Sequence, residues 1–311
     1  MQAVEAQFVP GIFLKQRTAY PDFAEGFEVA SAEGTCMKFE HFYSAEQKHI
    51  KEETIRSRIM EELTLVPGIG EARAAELKKR GIRTLADLSS TRFKEMGEVI
   101  ADIIANDSPK EISILFQDMH RGNDPLLLGF AGENHESQIF FDIETMGMAH
   151  SPIILFGIGE YTKTGLKVTQ YLARDIAEEL PALLETARHF NFDSRVISYN
   201  GKVFDIPYLN DRLAYYGERC IRPKLHIDLL FTTRKLFGAS LPDCRLGTVE
   251  EYLLNLPRED DLPGYLVPEY YQRWLRIRDA GILQPIVKHN EADVANLAAL
   301  ITYQQDYVYG C

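Results

Sequence analysis

The sequence predicts an α/β protein: a mixed sheet flanked by helices, preceded by a small helical module. Three observations predict it. From Gln138 onward, short apolar runs alternate with amphipathic segments of helical period. Before that point the chain reads as helical, around a glycine-rich turn at Pro67–Gly70. At 311 residues the chain is long enough for a full α/β domain and a smaller module.

The totals narrow the class. No apolar run reaches the roughly 18–20 residues that a membrane span needs. The start, MQAVEAQFVPG, has neither a basic n-region nor an apolar core, so it does not read as a signal peptide. The four cysteines, Cys36, Cys220, Cys244 and Cys311, form no C-x-x-C pair. That argues against a zinc site or a disulfide partner and fits a cytoplasmic protein. The net charge of −12 argues against a general nucleic-acid coat. It does not exclude clustered acids that bind metal.

Residues 1–60 read as an N-terminal arm and helix without a functional signal. Phe8 to Phe27 carries prolines, glycines and aromatics, which suggests short strands or an irregular arm. Ser44 to Glu62 is charged, proline-free and rich in helix formers, so it is expected to be a helix, with Ser44 and Gln47 as a capping box. Residues 61–125 are expected to form a helical module. Within it, Pro67-Gly68-Ile69-Gly70 precedes a helix over Glu71–Lys79 that stops at Gly81, and a second helix starts at Thr84. Residues 63–92 hold six basic residues against three acids, a local +3 in an acidic chain. Arg92 to Asp124 is expected to be helical with a break at 106–109, where Ser108 or Asp107 caps and Pro109 takes the first helical position. Residues 121–125 and 131–137 read as a linker.

The domain over 136–311 opens with QIFFDIETMG at 138–147. QIFF reads as a buried strand that ends in Asp142 and Glu144, on one face because strand side chains alternate. Two readings are open for this pair alone: a divalent metal between the acids, or a solvated acidic strand end. Further strands are expected at 153–158, 167–172, 195–199 and 225–230. Helices are expected at 175–190, with Ile176, Leu180, Leu183, Leu184 and Ala187 on one face, and at 206–216. The remainder reads as helical, apart from an acidic, proline-rich loop at 256–268. Asp205 starts the second of these helices, where it could be a simple N-cap, with Asn200 and Gly201 in the turn before it. On the last helix His289 and Asp293 are four apart, about 40° around the axis at roughly 3.6 residues per turn. A surface His–Asp pair is the plain alternative there.

Two resemblances follow from these residues. Pro67–Gly70 between two helices resembles the helix-hairpin-helix family, which implies that Pro67, Gly68, Ile69, Gly70, Arg73, Lys78 and Lys79 hold a phosphate backbone without reading sequence. The alternative is a compact spacer that keeps the hairpin for packing. From Gln138 to Tyr303 the chain resembles the DEDD exonuclease superfamily, with its RNase H-like fold. The carriers are D-x-E at Asp142 and Glu144, N-x-x-x-F-D at Asn200, Phe204 and Asp205, and a final Asp293. The third motif departs from both common branches, because the histidine sits at the spacing that belongs to tyrosine. HIDLLF at 226–231, RLGTVEEYLLNL at 245–256 and REDDLPGYLVPEYY at 258–271 bring it nearest to the YprB-type RNase H-like group.

The resemblance implies a 3′→5′ exonuclease in which Asp142, Glu144, Asp205 and Asp293 hold two Mg²⁺ or Mn²⁺ ions. His289 would be the general base, Asn200 a contact to nucleic acid, and Asp228 either a support to the ligands or only a helix cap. The hairpin tilts the expected partner to DNA over RNA. A structure-selective endonuclease, an RNA exonuclease and an inactive binding module stay open.

Overall fold

The computed structural model describes residues 26–132, 137–147, 150–258 and 261–310. Most of the segment expected as strands or an irregular arm, Phe8 to Phe27, lies outside the described residues. The strands are β1 (Phe27–Ser31), β2 (Gly34–Tyr43), β3 (Gln138–Thr145), β4 (Ile153–Thr162), β5 (Gly165–Leu172), β6 (Arg195–Ser198) and β7 (Leu225–Asp228). The α-helices are α1 (Glu52–Met60), α2 (Glu71–Lys79), α3 (Lys94–Asn106), α4 (Pro109–Asp118), α5 (Glu179–Ala187), α6 (Asp205–Tyr215), α7 (Leu229–Phe237), α8 (Leu246–Val249), α9 (Val267–Ile277) and α10 (Gln284–Tyr309). No helix among the described residues is long and apolar enough to cross a membrane.

The chain divides into two compact units. The sheet unit takes the described residues of Met1–Lys48 and Asn134–Gln304. Its seven strands run in the order β1-β2-β5-β4-β3-β6-β7. The β1–β2, β2–β5, β5–β4 and β4–β3 pairs are antiparallel, and β3–β6 and β6–β7 are parallel. The sheet is therefore mixed, as expected. Two of its strands come from the segment read as an arm. The alternation in β2, with Met37, Phe39 and His41 buried between the less buried Lys38, Glu40 and Phe42, is too short a signal to separate an arm from a sheet strand.

Period-two alternation divides the sheet between two cores, one on each face. Ile139, Phe141 and Ile143 pack with Ala182 and Leu183 of α5 and Ile206 and Leu209 of α6. On β2, β4 and β5, Phe39, Leu155 and Leu172 pack with Tyr271 and Trp274 of α9 and Ile286 and Val287 of α10. Helix α5 turns a different face inward than its apolar pattern predicts. Glu179 is fully buried and Ile176 is exposed. The reason is electrostatic: Glu179 accepts from Arg212 Nε at 2.6 Å, from Tyr216 Oη at 2.8 Å and from the Ile153 backbone N–H at 2.9 Å. A buried carboxylate with that many donors is tolerable where a bare one is not.

The helical unit takes His49–Glu133 and Gln305–Cys311. Helix α2 and the α3–α4 break follow the sequence reading, and the break is a capping box between Ser108 and Glu111 with Pro109 at the first position. Three expectations fail. The helix of 44–62 is only α1, because Gln47 bonds Gln138 and His49 Nδ1 meets the Gly132 carbonyl at 3.2 Å, so no capping box forms at Ser44. The helix expected at Thr84 is a 3₁₀ turn, Ala86–Ser90, since Asp87 accepts from the Arg83 and Thr84 backbone N–H groups. Of the residues read as a linker, Asp124, Pro125, Ala131, Gly132 and Ser137 are buried. Asp124 is buried, and Pro125–Gly132 is a buried 3₁₀ segment held by Gln305 Nε2 on the Leu128 carbonyl at 2.9 Å.

Candidate active site

Strand β3 presents Asp142 and Glu144 on the face opposite Ile143. That face meets α10, where Asn290, fully buried, donates from Nδ2 to Asp142 Oδ2 at 2.8 Å. Asn290 is fixed in turn by Gln170 of β5, whose Nε2 donates to Asn290 Oδ1 at 2.7 Å and to the Val287 carbonyl at 2.9 Å. The approach of helix to sheet needs Gly157 on β4, because a Cβ there would run into Asn290 Oδ1 and Val294 Cγ2.

Asp205 reaches the same strand from the other side. The register of β3 on β6 ends at Phe140, before the acids are reached. The Ile143 N–H therefore lacks a strand partner on that edge, and Asp205 Oδ1 accepts it at 3.1 Å. The simple N-cap reading of Asp205 gives way to a bolt between α6 and β3. Asp228 secures the turn that leads there. Its carboxylate accepts from the Asn200 N–H at 2.8 Å, the Lys202 N–H at 3.0 Å and, as cap of α7, the Leu230 N–H at 3.1 Å. The cap reading of Asp228 holds, and the same carboxylate also braces the turn before α6. Asn200 itself takes a left-handed φ of 69° with its side chain exposed, while Phe204 packs on the core.

His289 and Asp293 face the β3 acids from α10. His289 Nε2 lies 3.8 Å from both Glu144 Oε1 and Asp293 Oδ2. Its Nδ1 is held at 2.8 Å by Asp261 Oδ1. The surface-pair reading of His289 and Asp293 does not describe this, since the close partner is Asp261. Arg258 completes the wall. Its guanidinium is 2.5 Å from Glu250 through two nitrogens, 2.5 Å from Asp293 Oδ1 and 3.1 Å from Asp261 Oδ2. Asn296 Nδ2 also donates to Glu250, at 2.9 Å. The Arg258–Asp293 contact is an ion pair off the line of a hydrogen bond, as Asp293 Oδ1 has no aligned donor.

Sequence reasoning missed Gln170, Asn290, Glu250, Arg258 and Asp261. Asn290 stands beside His289, and Arg258 and Asp261 lie in the acidic loop; a buried Asn next to a site histidine was the available signal.

The electrostatics follow from burial. Desolvation, then repulsion from Asp293, Asp205 and its neighbour Glu144, pushes the Asp142 carboxyl well above the usual carboxylate range. Desolvation, then Asp293, Asp205 and Asp261, does the same to Glu144. Burial raises Asp205 to about 7, against the lowering effect of the Ile143 N–H. For His289 burial opposes the charged form, but the Asp261 hydrogen bond and the charge of Asp293 outweigh it and raise the ring. Ionising all of these acids would put more negative charge in the site than Arg258 and His289 neutralise, which is why they hold their protons.

That imbalance, with a set of hard carboxylate oxygens, fits a divalent cation at Asp142, Glu144 and Asp205. Among the described residues no three His, Cys, Asp or Glu side chains stand close enough together to hold an ion as they are placed. Asp293 fits less well, because one of its oxygens is engaged by Arg258.

In the helical unit, Pro67, Gly68 and Gly70 are exposed, and Gly68 has a φ of 87° that a side chain would strain. Arg73, Lys78 and Lys79 are exposed on α2, and Arg73 donates to the Gly68 carbonyl at 2.6 Å. A shallow concavity of about 470 Å³ is lined by Gly68, Gly70, Glu71, Ala72, Arg73 and Glu76. Ile69 is not available as a contact: its side chain is buried and its N–H bonds the Val66 carbonyl at 2.9 Å.

Comparison with known proteins adds the family. The uncharacterized protein YprB of Bacillus subtilis is 32% identical over 180 residues, which cover 56% of this chain and 43% of that protein. The chain thus matches less than half the length of this relative. Among solved structures, the family B DNA polymerase of Pyrobaculum calidifontis aligns at 20% identity and a TM-score of 0.41, over 55% of this chain and 24% of the polymerase. Brucella melitensis NrnC bound to pGG aligns at 16% identity and a TM-score of 0.28, over 56% of this chain and 87% of NrnC. The RNase_H superfamily profile matches residues 139–305, more than half of the chain and all of the strands and helices that carry the acids. The chain belongs to the RNase_H superfamily.

Proposed function

We propose that this protein is a metal-dependent nuclease that hydrolyses phosphodiester bonds, acting as a 3′→5′ exonuclease on DNA. The observation that carries the reading is the convergence on β3: Asp142 and Glu144 on one face, Asp205 bonded to the amide between them, and His289 Nε2 3.8 Å from Glu144. Asp142, Glu144 and Asp205, with Asp293, are the residues that would hold Mg²⁺ or Mn²⁺. When bound, such an ion lowers the pKa of water and offsets charge on the phosphodiester. His289 has the geometry of a general base. Asp261 at Nδ1 fixes the ring so that Nε2 is the nitrogen turned to the acids. Asn290 orients Asp142, and Asp228 holds the turn before Asp205. The exposed basic residues Arg73, Lys78 and Lys79 beside the Gly68 turn support backbone binding and, with it, DNA.

The test is a digestion ladder on end-labelled single- and double-stranded DNA and RNA, with Mg²⁺ or Mn²⁺, a chelator control and the Asp142→Ala variant. Stepwise shortening from the 3′ end, lost in chelator and in the variant, is expected. Internal cuts would make it an endonuclease, shortening of RNA alone would move the substrate, and binding without metal-dependent cleavage would leave only a binding module.

A further inference from the structure

The site contains a permanent cation. Arg258 is fixed, because two of its nitrogens grip Glu250 at 2.5 Å and Glu250 is itself fully buried and tied to Asn296. The same guanidinium nitrogen that reaches Glu250 Oε1 lies 2.5 Å from Asp293 Oδ1. Another reaches Asp261, the residue that orients His289. Burial disfavours the charge on Arg258, yet Asp293 and Glu250 hold it firmly protonated. A guanidinium planted this way repels any divalent ion that approaches the same oxygen of Asp293. Asp293 is left with Oδ2, the oxygen turned toward His289 Nε2.

We infer that Arg258 replaces one of the two divalent ions expected at this carboxylate set, so the protein binds a single catalytic ion at Asp142, Glu144 and Asp205. The inference rests on the metal-dependent nuclease reading and fixes its stoichiometry. It also gives Arg258 a positioning role toward Asp293 and, through Asp261, toward His289.

Mn²⁺ binding by the full chain tests it, counted by equilibrium dialysis and followed by electron paramagnetic resonance without substrate. Wild type should bind one Mn²⁺ per chain, with no spin coupling between ions. Arg258→Gln should bind two, with the exchange signature of a close pair. Because Arg258→Gln leaves Glu250 buried without a countercharge, a second variant, Arg258→Met with Glu250→Gln, removes both charges together and should also bind two. Asp293→Asn should keep one ion. Two ions in wild type would overturn the inference and leave the nuclease reading standing. One ion in both arginine variants would likewise overturn it, since Arg258 would then exclude nothing. No Mn²⁺ in any form would overturn both.

Discussion

The carboxylate site and the hairpin hold opposite charges in opposite settings. At the site the charged groups are buried or half-buried and interlocked: Asp205 with Ile143, Asn290 with Asp142, Arg258 with Glu250 and Asp293. At the hairpin Arg73, Lys78 and Lys79 stand in solvent beside an exposed glycine turn. Burial makes each charge at the site expensive unless partnered, so its geometry is exact and its proton affinities move. Exposed charges are screened, interchangeable and suited to gripping a backbone of any sequence. The difference teaches where single substitutions should matter.

The largest contrast is in activity. Asp142→Ala should lower metal-dependent cleavage on the order of 10⁴-fold, because it removes an ion ligand worth several kcal/mol in the transition state. Mn²⁺ should raise the Tm of the wild type, and the variant should lose that rise. A variant that keeps either property would break the assignment of β3.

Next comes stability. Arg212→Ala should cost about 3–5 kcal/mol in urea unfolding, since it strands the fully buried Glu179. Arg58→Ala, which opens the solvent-exposed pair with Glu61 in the helical unit, should cost less than about 1 kcal/mol. Equal losses would erase the distinction between the two regions.

The pH dependence sharpens it further. The Asp205 carboxyl is raised from 3.8 to about 7 in the fold. Between those values the folded chain binds more protons than the unfolded one, so metal-free stability should fall as pH rises from about 4 to about 7. Asp142 and Glu144, raised likewise, steepen the fall, and the raised His289 extends it upward. Asp261, held low by His289 and Arg258 despite burial, pulls the other way at acid pH. Denaturant midpoints measured across this range should decline in wild type and flatten in Asp205→Asn. A midpoint that climbs with pH would contradict the charge imbalance at the site.

The smallest effects belong to the hairpin. Lys78→Ala with Lys79→Ala should leave Mn²⁺ affinity unchanged and reduce the slope of log K against log salt for DNA by about 1–2. Gly68→Ala should cost about 1 kcal/mol, given its φ of 87°. An unchanged salt slope would remove the hairpin from the binding surface.

Much of the sheet unit was legible because its signals are local. The buried run before Asp142 and Glu144, the turn before Asp205 and the stop at Gly217 need only periodicity and backbone preference. The same locality explains the misses. Strand β1, at the sheet edge, and β2 beside it alternate over too few residues to announce themselves, and the 3₁₀ segments at Ala86–Ser90 and Pro125–Gly132 depend on side-chain acceptors and on Gln305, far along the chain. The face of α5 was misjudged because its inward acid is stabilised by Arg212, 33 positions away.

By itself the sequence determined that Asp142 and Glu144 share a strand face and that His289 and Asp293 share a helix face, because both follow from the repeat of one element. Only the tertiary structure decided that these faces meet, that Asn290 and Gln170 hold them, and that Arg258 pairs with Asp293. Those outcomes depend on which charges are desolvated together, and desolvation belongs to the packed chain, not to any segment of it.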